Sequence, residues 1–216
     1  VVGELLGHAL GERGDQHAVA GSHAQADFAQ HVIDLGGDLV GGDIVVLEHP
    51  VTRVDYIKRV IGLPGDSVAM VNGQLVLNGQ PVPKERIADF IIPASANTGC
   101  ASAAAREIDA FGKAFCRYAR FRETLPSGKN YEVLDFGDRP VDNERAIIVP
   151  EGRLFVMGDN RDNSLDSRAM NAVGFIPIEN LVGRAEIIFF SVDGSAAWWQ
   201  VWNWPFAIRW SRLFSA

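Results

Sequence analysis

The stretch GDNRDNSLDSR, residues 158–168, packs three aspartates, two arginines and two serines into eleven positions. Strongly apolar segments lie on both sides of it. Charges set between apolar strands need partners, because an unpaired ion taken out of water is costly. Asp166 and Arg168 can satisfy each other, and Asp159 can pair with an arginine from elsewhere, for which Arg59 is the candidate. Ser164 would then sit in a rigid frame, its hydroxyl placed to orient a neighbouring amine. Lys58, in DYIKRVIGLPGD, offers such an amine: period-2 alternation turns it to the same side as Tyr56 and Val60. Burial there disfavours the ammonium and lowers its pKa, which makes a general base near neutral pH. The plain alternatives are an edge-strand lysine reaching water and a solvated turn. A calcium loop does not fit, because Arg161 stands at the third position and no glycine at the sixth.

Several elements must bring these residues together. From Asp43 the texture is that of strands. DIVVLEHP is a β-branched run stopped by Pro50. VDYIKRVIGLPGDSV is broken at the turn signal Leu63-Pro64-Gly65-Asp66. VAMVNGQLVLNGQPV reads as a hairpin whose Asn72-Gly73 suits a type I′ turn. Residues 84–145 are more polar, hold both cysteines and read as an inserted β-rich subdomain. The first pattern returns in AIIVPEGRLFVMGDN and GRAEIIFFSV, which bracket the charged turn. The expected fold is mainly β: an antiparallel sheet or barrel from residues 43–83 and 146–195, with the smaller subdomain inserted. Residues 1–42, rich in Gly, Ala and His, form an atypical leader with a faint helical period in QADFAQHVIDL. Residues 196–216 gather all five tryptophans, with Arg209 and Arg212 beside them. That tail reads as a membrane-interfacial anchor or as a helix packed on the barrel.

Composition bounds the function. The chain has 216 residues, 47% hydrophobic and 22% charged, with a net charge of −7. This is enough for one sizeable core and a subdomain. The acidic balance argues against a nucleic-acid partner, which would need a basic patch. Cys100 and Cys116 form no CxxC pattern, so zinc has little support. They read as two buried thiols or as one disulfide, the latter in an oxidising compartment. His8, His17, His23 and His31 all precede Gly42 at spacings that put no pair on one helical face, so no metal site is expected. No run approaches the ~20 apolar residues of a spanning helix, and no transmembrane segment is expected in this sequence.

Four segments in series, GDIVVLEHP, DYIKRVIGLPGD, NGQLVLNGQPV and GDNRDNSLDSR, resemble the bacterial signal peptidase I family of membrane-bound Ser/Lys endopeptidases. CRYARFRETLPSGKNYEVLD is similar to that family's second, non-catalytic domain. The resemblance runs from about Gly42 to the C-terminus. It implies that Lys58 is the general base and that Ser164 orients it. It implies supporting ion pairs, Asp166 with Arg168 and Arg59 with Asp159. Asp55, Tyr56 and Ile57 would form the edge along which substrate lies as an added strand. Tyr56 and Ile57 would wall the small pocket for the alanine before the cut. The implied reaction removes signal peptides from exported preproteins, without metal or cofactor. It takes place at the outer, periplasmic face of the cytoplasmic membrane, with the lipid surface as a further partner.

One family segment has no counterpart. The family's nucleophile lies upstream of the lysine in a Ser-x-Ser-Met-x-Pro-Thr-like segment. The only serine before Lys58 is Ser22, in AVAGSHAQADF, which lacks the following Met and Pro-Thr. The nucleophile is therefore left unassigned, and its oxyanion donors with it. The composition break at Gly42 fits a change of reading frame or a truncated gene. The alternative is a pseudo-peptidase that binds signal peptides without cutting them. A self-cleaving repressor with the same dyad would need a DNA-binding helix-turn-helix, and none is visible.

Overall fold

The computed structural model describes residues 39–94 and 99–185. The leader as far as residue 38, with Ser22 and its four histidines, lies outside the described residues, and so does the tryptophan-rich tail. Among the described residues, thirteen strands and a few short 3₁₀ turns make up the elements. Among the described residues no helix is long and apolar enough to cross a membrane.

The first sheet carries the residues of interest. Its order is β12 (Ile176–Pro177), β11 (Arg153–Met157), β2 (Asp55–Gly62), β1 (Ile44–Glu48) and β13 (Leu181–Arg184). All its pairings are antiparallel. β11 is apolar without alternation because both its faces are covered. Leu154 and Val156 join a core with Val45, Leu47, Val60 and Ile176. Phe155 and Met157 face the other core, with Ile61, Val68 and Leu75.

The second sheet runs β10 (Glu144–Ile148), β3 (Ser67–Val71), β4 (Gln74–Leu77), β5 (Gln80–Pro81). Asn72 and Gly73, with φ of 49° and 72°, connect β3 to β4 through the two positive-φ positions that a type I′ turn requires. Asn78 and Gly79 repeat the device between β4 and β5, with φ of 53° and 75°.

The third sheet falls within residues 84–145: β6 (Lys84–Pro93) and β7 (Arg106–Ile108) flank β8 (Ala114–Thr124), which also pairs with β9 (Asn130–Leu134). Its far end has a local core of Ile92, Cys116, Tyr118 and Leu134. Cys100 and Cys116 are joined there as a disulfide. Its near end is not separate. Leu125, Tyr131 and Val133 belong to the same core as Ile61 and Met157 of the first sheet. The inserted strands therefore grow out of the main body.

Candidate active site

Lys58 lies at the middle of β2, opposite Val45 of β1. It is only 5% exposed, so the reading of a lysine reaching water does not hold. Its Nζ donates to Ser164 Oγ at 3.0 Å and lies 5.2 Å from the centroid of the Tyr56 ring. Tyr56 and Lys58 thus share a face, as alternation requires.

The charged turn is not a solvated loop either. Asp159, Arg161, Asp166, Ser167 and Arg168 are all buried. One backbone bond and one side-chain bond bring the turn back onto β11: Ser167 N donates to Val156 O at 3.0 Å, and Val156 N donates to Ser167 Oγ at 3.0 Å. Arg168 grips Asp166 with two donors, Nε at 2.9 Å and Nη2 at 2.8 Å. Gly158 N donates to the same carboxylate at 3.0 Å. Burial pushes the Asp166 carboxyl up. Arg168, the Gly158 amide and the charge of Lys58 outweigh it and hold the group below its ordinary value. Asp166 therefore stays an anion within electrostatic reach of Lys58.

Arg59, next to Lys58 but on the opposite face, donates to Asp159 from Nε at 2.8 Å and from Nη2 at 2.7 Å. Its Nη1 donates to Gly42 O at 2.7 Å. Burial opposes ionisation of Arg59, but the hydrogen bonds to Asp159 and its charge outweigh that and raise the guanidinium above its ordinary value. Adjacent residues of one strand thus serve two ends. Lys58 presents an amine, and Arg59 fastens the strand to the turn that carries Ser164.

The position of Ser164 depends on a glycine. A Cβ at Gly158 would stand 2.2 Å from Ser164 Oγ and 2.5 Å from its Cβ. Only a residue without a side chain lets the hydroxyl fold over the turn toward Lys58.

Asp55, Tyr56 and Ile57 do not lie on an edge strand. β2 is the central strand of the five-stranded sheet. β11 pairs with it only at Arg59, Val60 and Gly62, however, so residues 55–58 run past the end of that ladder. Of the three, Asp55 is exposed and Tyr56 and Ile57 are half-buried.

Glu123, Tyr131, His49 and Gly158 carried no role in the sequence reading, and neither did the pairing of Arg161. Arg161, inside the turn, makes a two-donor pair with Glu123 of β8, and both are almost fully enclosed. Tyr131 of β9 lies against the Arg59 guanidinium, 4.3 Å from its ring centroid. His49, at the end of β1, is buried with its ring against Tyr56. Gly158 could have been suspected as the residue opening a tight charged turn. Glu123 and Tyr131 carry no local cue.

The family model and the curated relatives agree. Residues 13–190 match the family model for signal peptidase, peptidase S26. Signal peptidase I of Rickettsia prowazekii is 33% identical over 192 residues, covering 80% of this chain and 64% of that protein. Signal peptidase I of Rickettsia bellii is 34% identical over 193 residues, covering 80% and 58%. The chain thus spans about three fifths of the length of these relatives. A signal peptidase I from Enterococcus faecalis of known structure is 24% identical, with 69% of this chain and 98% of that one covered and a TM-score of 0.38. The family match begins at residue 13, well before the Gly42 boundary drawn from composition.

Proposed function

The chain belongs to the signal peptidase family S26, and from that premise we propose that it is a serine endopeptidase removing signal peptides from exported preproteins. The contact that carries this reading is the hydrogen bond, partly enclosed, between Lys58 Nζ and Ser164 Oγ, set in a frame of buried arginine–carboxylate pairs. In the mechanism, the Lys58 amine is the general base. It takes the proton from the hydroxyl of a nucleophilic serine as that oxygen attacks the scissile carbonyl. The tetrahedral intermediate collapses, Lys58 returns the proton to the leaving amine, and an acyl-serine remains. Lys58 then deprotonates a water, which attacks the ester and frees the serine. Ser164 accepts a hydrogen bond from the amine throughout and keeps its lone pair aimed. Asp166, through Gly158 and Arg168, fixes the turn that holds Ser164. The preprotein segment lies beside residues 55–57, in the stretch that β11 does not cover. The reaction runs at the outer face of the cytoplasmic membrane.

The test is cleavage of a signal-peptide substrate with Ala before the cut by the full chain, its Lys58→Met variant and its Ser22→Ala variant. Mass spectrometry of the trapped acyl-enzyme locates the serine. Turnover lost in Lys58→Met supports the reading. Binding without turnover in the unmodified chain overturns it in favour of a non-catalytic binder.

A further inference from the structure

His49 is a buried imidazole that the mechanism does not use. It closes β1 and opens the turn to β2. Its Nδ1 accepts from Val51 N at 3.2 Å and from Thr52 N at 3.1 Å. Its backbone is fixed as well: His49 N donates to Val54 O at 2.9 Å, and Arg53 N donates to His49 O at 3.0 Å. Two hydrogen bonds to Nδ1, on a backbone held by two more, orient the ring. That ring meets Tyr56 edge to face, with centroids 5.3 Å apart and planes at 81°. The T-shaped arrangement is a favoured aromatic geometry. Tyr56 therefore has His49 on one side and the Lys58 amine, 5.2 Å from its centroid, on another. Lys58 must stay mobile enough to move protons, so it is the weaker stop. Tyr56 also packs against the core around Val45, Leu47 and Val60, and of its two polar neighbours His49 is the rigid one.

We infer that His49 is a specificity-determining residue: by holding the Tyr56 ring in place it keeps the pocket for the residue before the cut too small for anything beyond alanine. The inference rests on the proposed function, since Tyr56 walls that pocket only if a signal peptide lies beside β2. A pocket discriminates by size only as far as its walls refuse to move. Extra methylenes are then penalised by tenfold or more each. A Tyr56 ring free to swing would admit them.

Two substitutions separate the two jobs of the imidazole. His49→Asn keeps an acceptor for the amides of Val51 and Thr52, the usual Asx-turn geometry, but removes the ring. His49→Phe keeps an aromatic edge against Tyr56 but removes the acceptor. The probes are two fluorescent signal-peptide segments with a reduced, uncleavable bond at the cut, one with Ala before it and one with Leu. Affinity is read by anisotropy on the full chain, and thermal stability alongside. The wild-type chain binds the Ala probe and discriminates against Leu. His49→Asn lowers that Ala/Leu ratio about tenfold while its melting temperature stays near wild type. His49→Phe melts earlier but keeps more of the ratio. A wild-type ratio in His49→Asn overturns the inference and leaves the proposed function standing. Failure of the wild-type chain to bind either probe overturns both. If His49→Phe does not fold, the His49→Asn ratio decides alone.

Discussion

Arginine–carboxylate pairs occur in two regions of this molecule, in opposite settings. Around the charged turn, Arg59–Asp159, Arg161–Glu123 and Arg168–Asp166 are buried and each arginine uses two donors. On the third sheet, Arg86–Asp89, Arg117–Glu107 and Arg120–Glu132 stand at or near solvent. The chemistry is the same, but water decides what it does. A buried pair is nearly neutral against an apolar replacement, yet losing one partner strands a charge. An exposed pair is screened and flexible, and contributes little. The buried pairs therefore fix positions, whereas the outer sheet must be held by other means: a small apolar core and a disulfide.

The largest effect should come from breaking the buried set. Glu123→Ala leaves Arg161 without its counter-ion among enclosed side chains, and should cost about 3–5 kcal/mol in urea unfolding. Pairing it with Arg161→Met should recover much of that loss, because no charge remains to be stranded. If Glu123→Ala alone is as mild as the double variant, the pair is not what ties β8 to the turn. The disulfide is the counterpart in the outer sheet. Replacing Cys100 and Cys116 together by Ser, which opens a loop of 16 residues, should cost about 3 kcal/mol. Local protection from hydrogen exchange should fall in β7 and the first half of β8, with Lys58 and its surroundings unaffected.

Gly158→Ala tests positioning directly. The added methyl overlaps Ser164 and displaces its hydroxyl from the amine. A catalytic group moved by about an ångström loses on the order of a hundredfold in turnover. The expectation is a fall in kcat with KM little changed. A loss confined to KM would mean that the glycine shapes the peptide cleft instead.

How much of this was legible from sequence follows the same division. β1, β2 and β11 of the first sheet, the Asn72-Gly73 hairpin and the mainly β antiparallel class followed from apolar runs and turn chemistry, which are local, whereas β12 gave no such signal and most of GRAEIIFFSV lies outside the described residues. Arg59, Asp159, Asp166 and Arg168 were visible as charges in need of partners, and two of the three buried pairs could be matched by type. Glu123 could not, because its partnership with Arg161 exists only once β8 docks on the turn. Tyr131 is hidden for the same reason. The second Asn-Gly turn, Asn78-Gly79, was present in the sequence as a signal and went unread. The central place of β2 depends on β11, which follows it by some ninety residues, and long-range pairing leaves no local trace. For the two cysteines, spacing alone could not distinguish thiols from a disulfide.

The smallest readout, the slope of acid unfolding rather than total stability, is also the one that isolates burial as the cause. Asp166 and Asp89 both have carboxyl groups held below the ordinary 3.8. For Asp166, burial raises the value and the hydrogen bonds and charge of Arg168 more than reverse it. For Asp89, the hydrogen bond from Arg86 comes first, on an exposed surface. A carboxyl lowered on folding contributes its full stability above the unfolded value and loses it as pH falls through the folded one. Both should therefore steepen acid unfolding below about pH 4. Asp166→Asn and Asp89→Asn should each flatten that slope, Asp166→Asn more. At roughly 1 M salt the Debye length falls to about 3 Å, so the Asp89 contribution should vanish while that of Asp166 persists. If salt removes both alike, the turn is wetter than its packing shows, and the contrast between the two regions is one of degree.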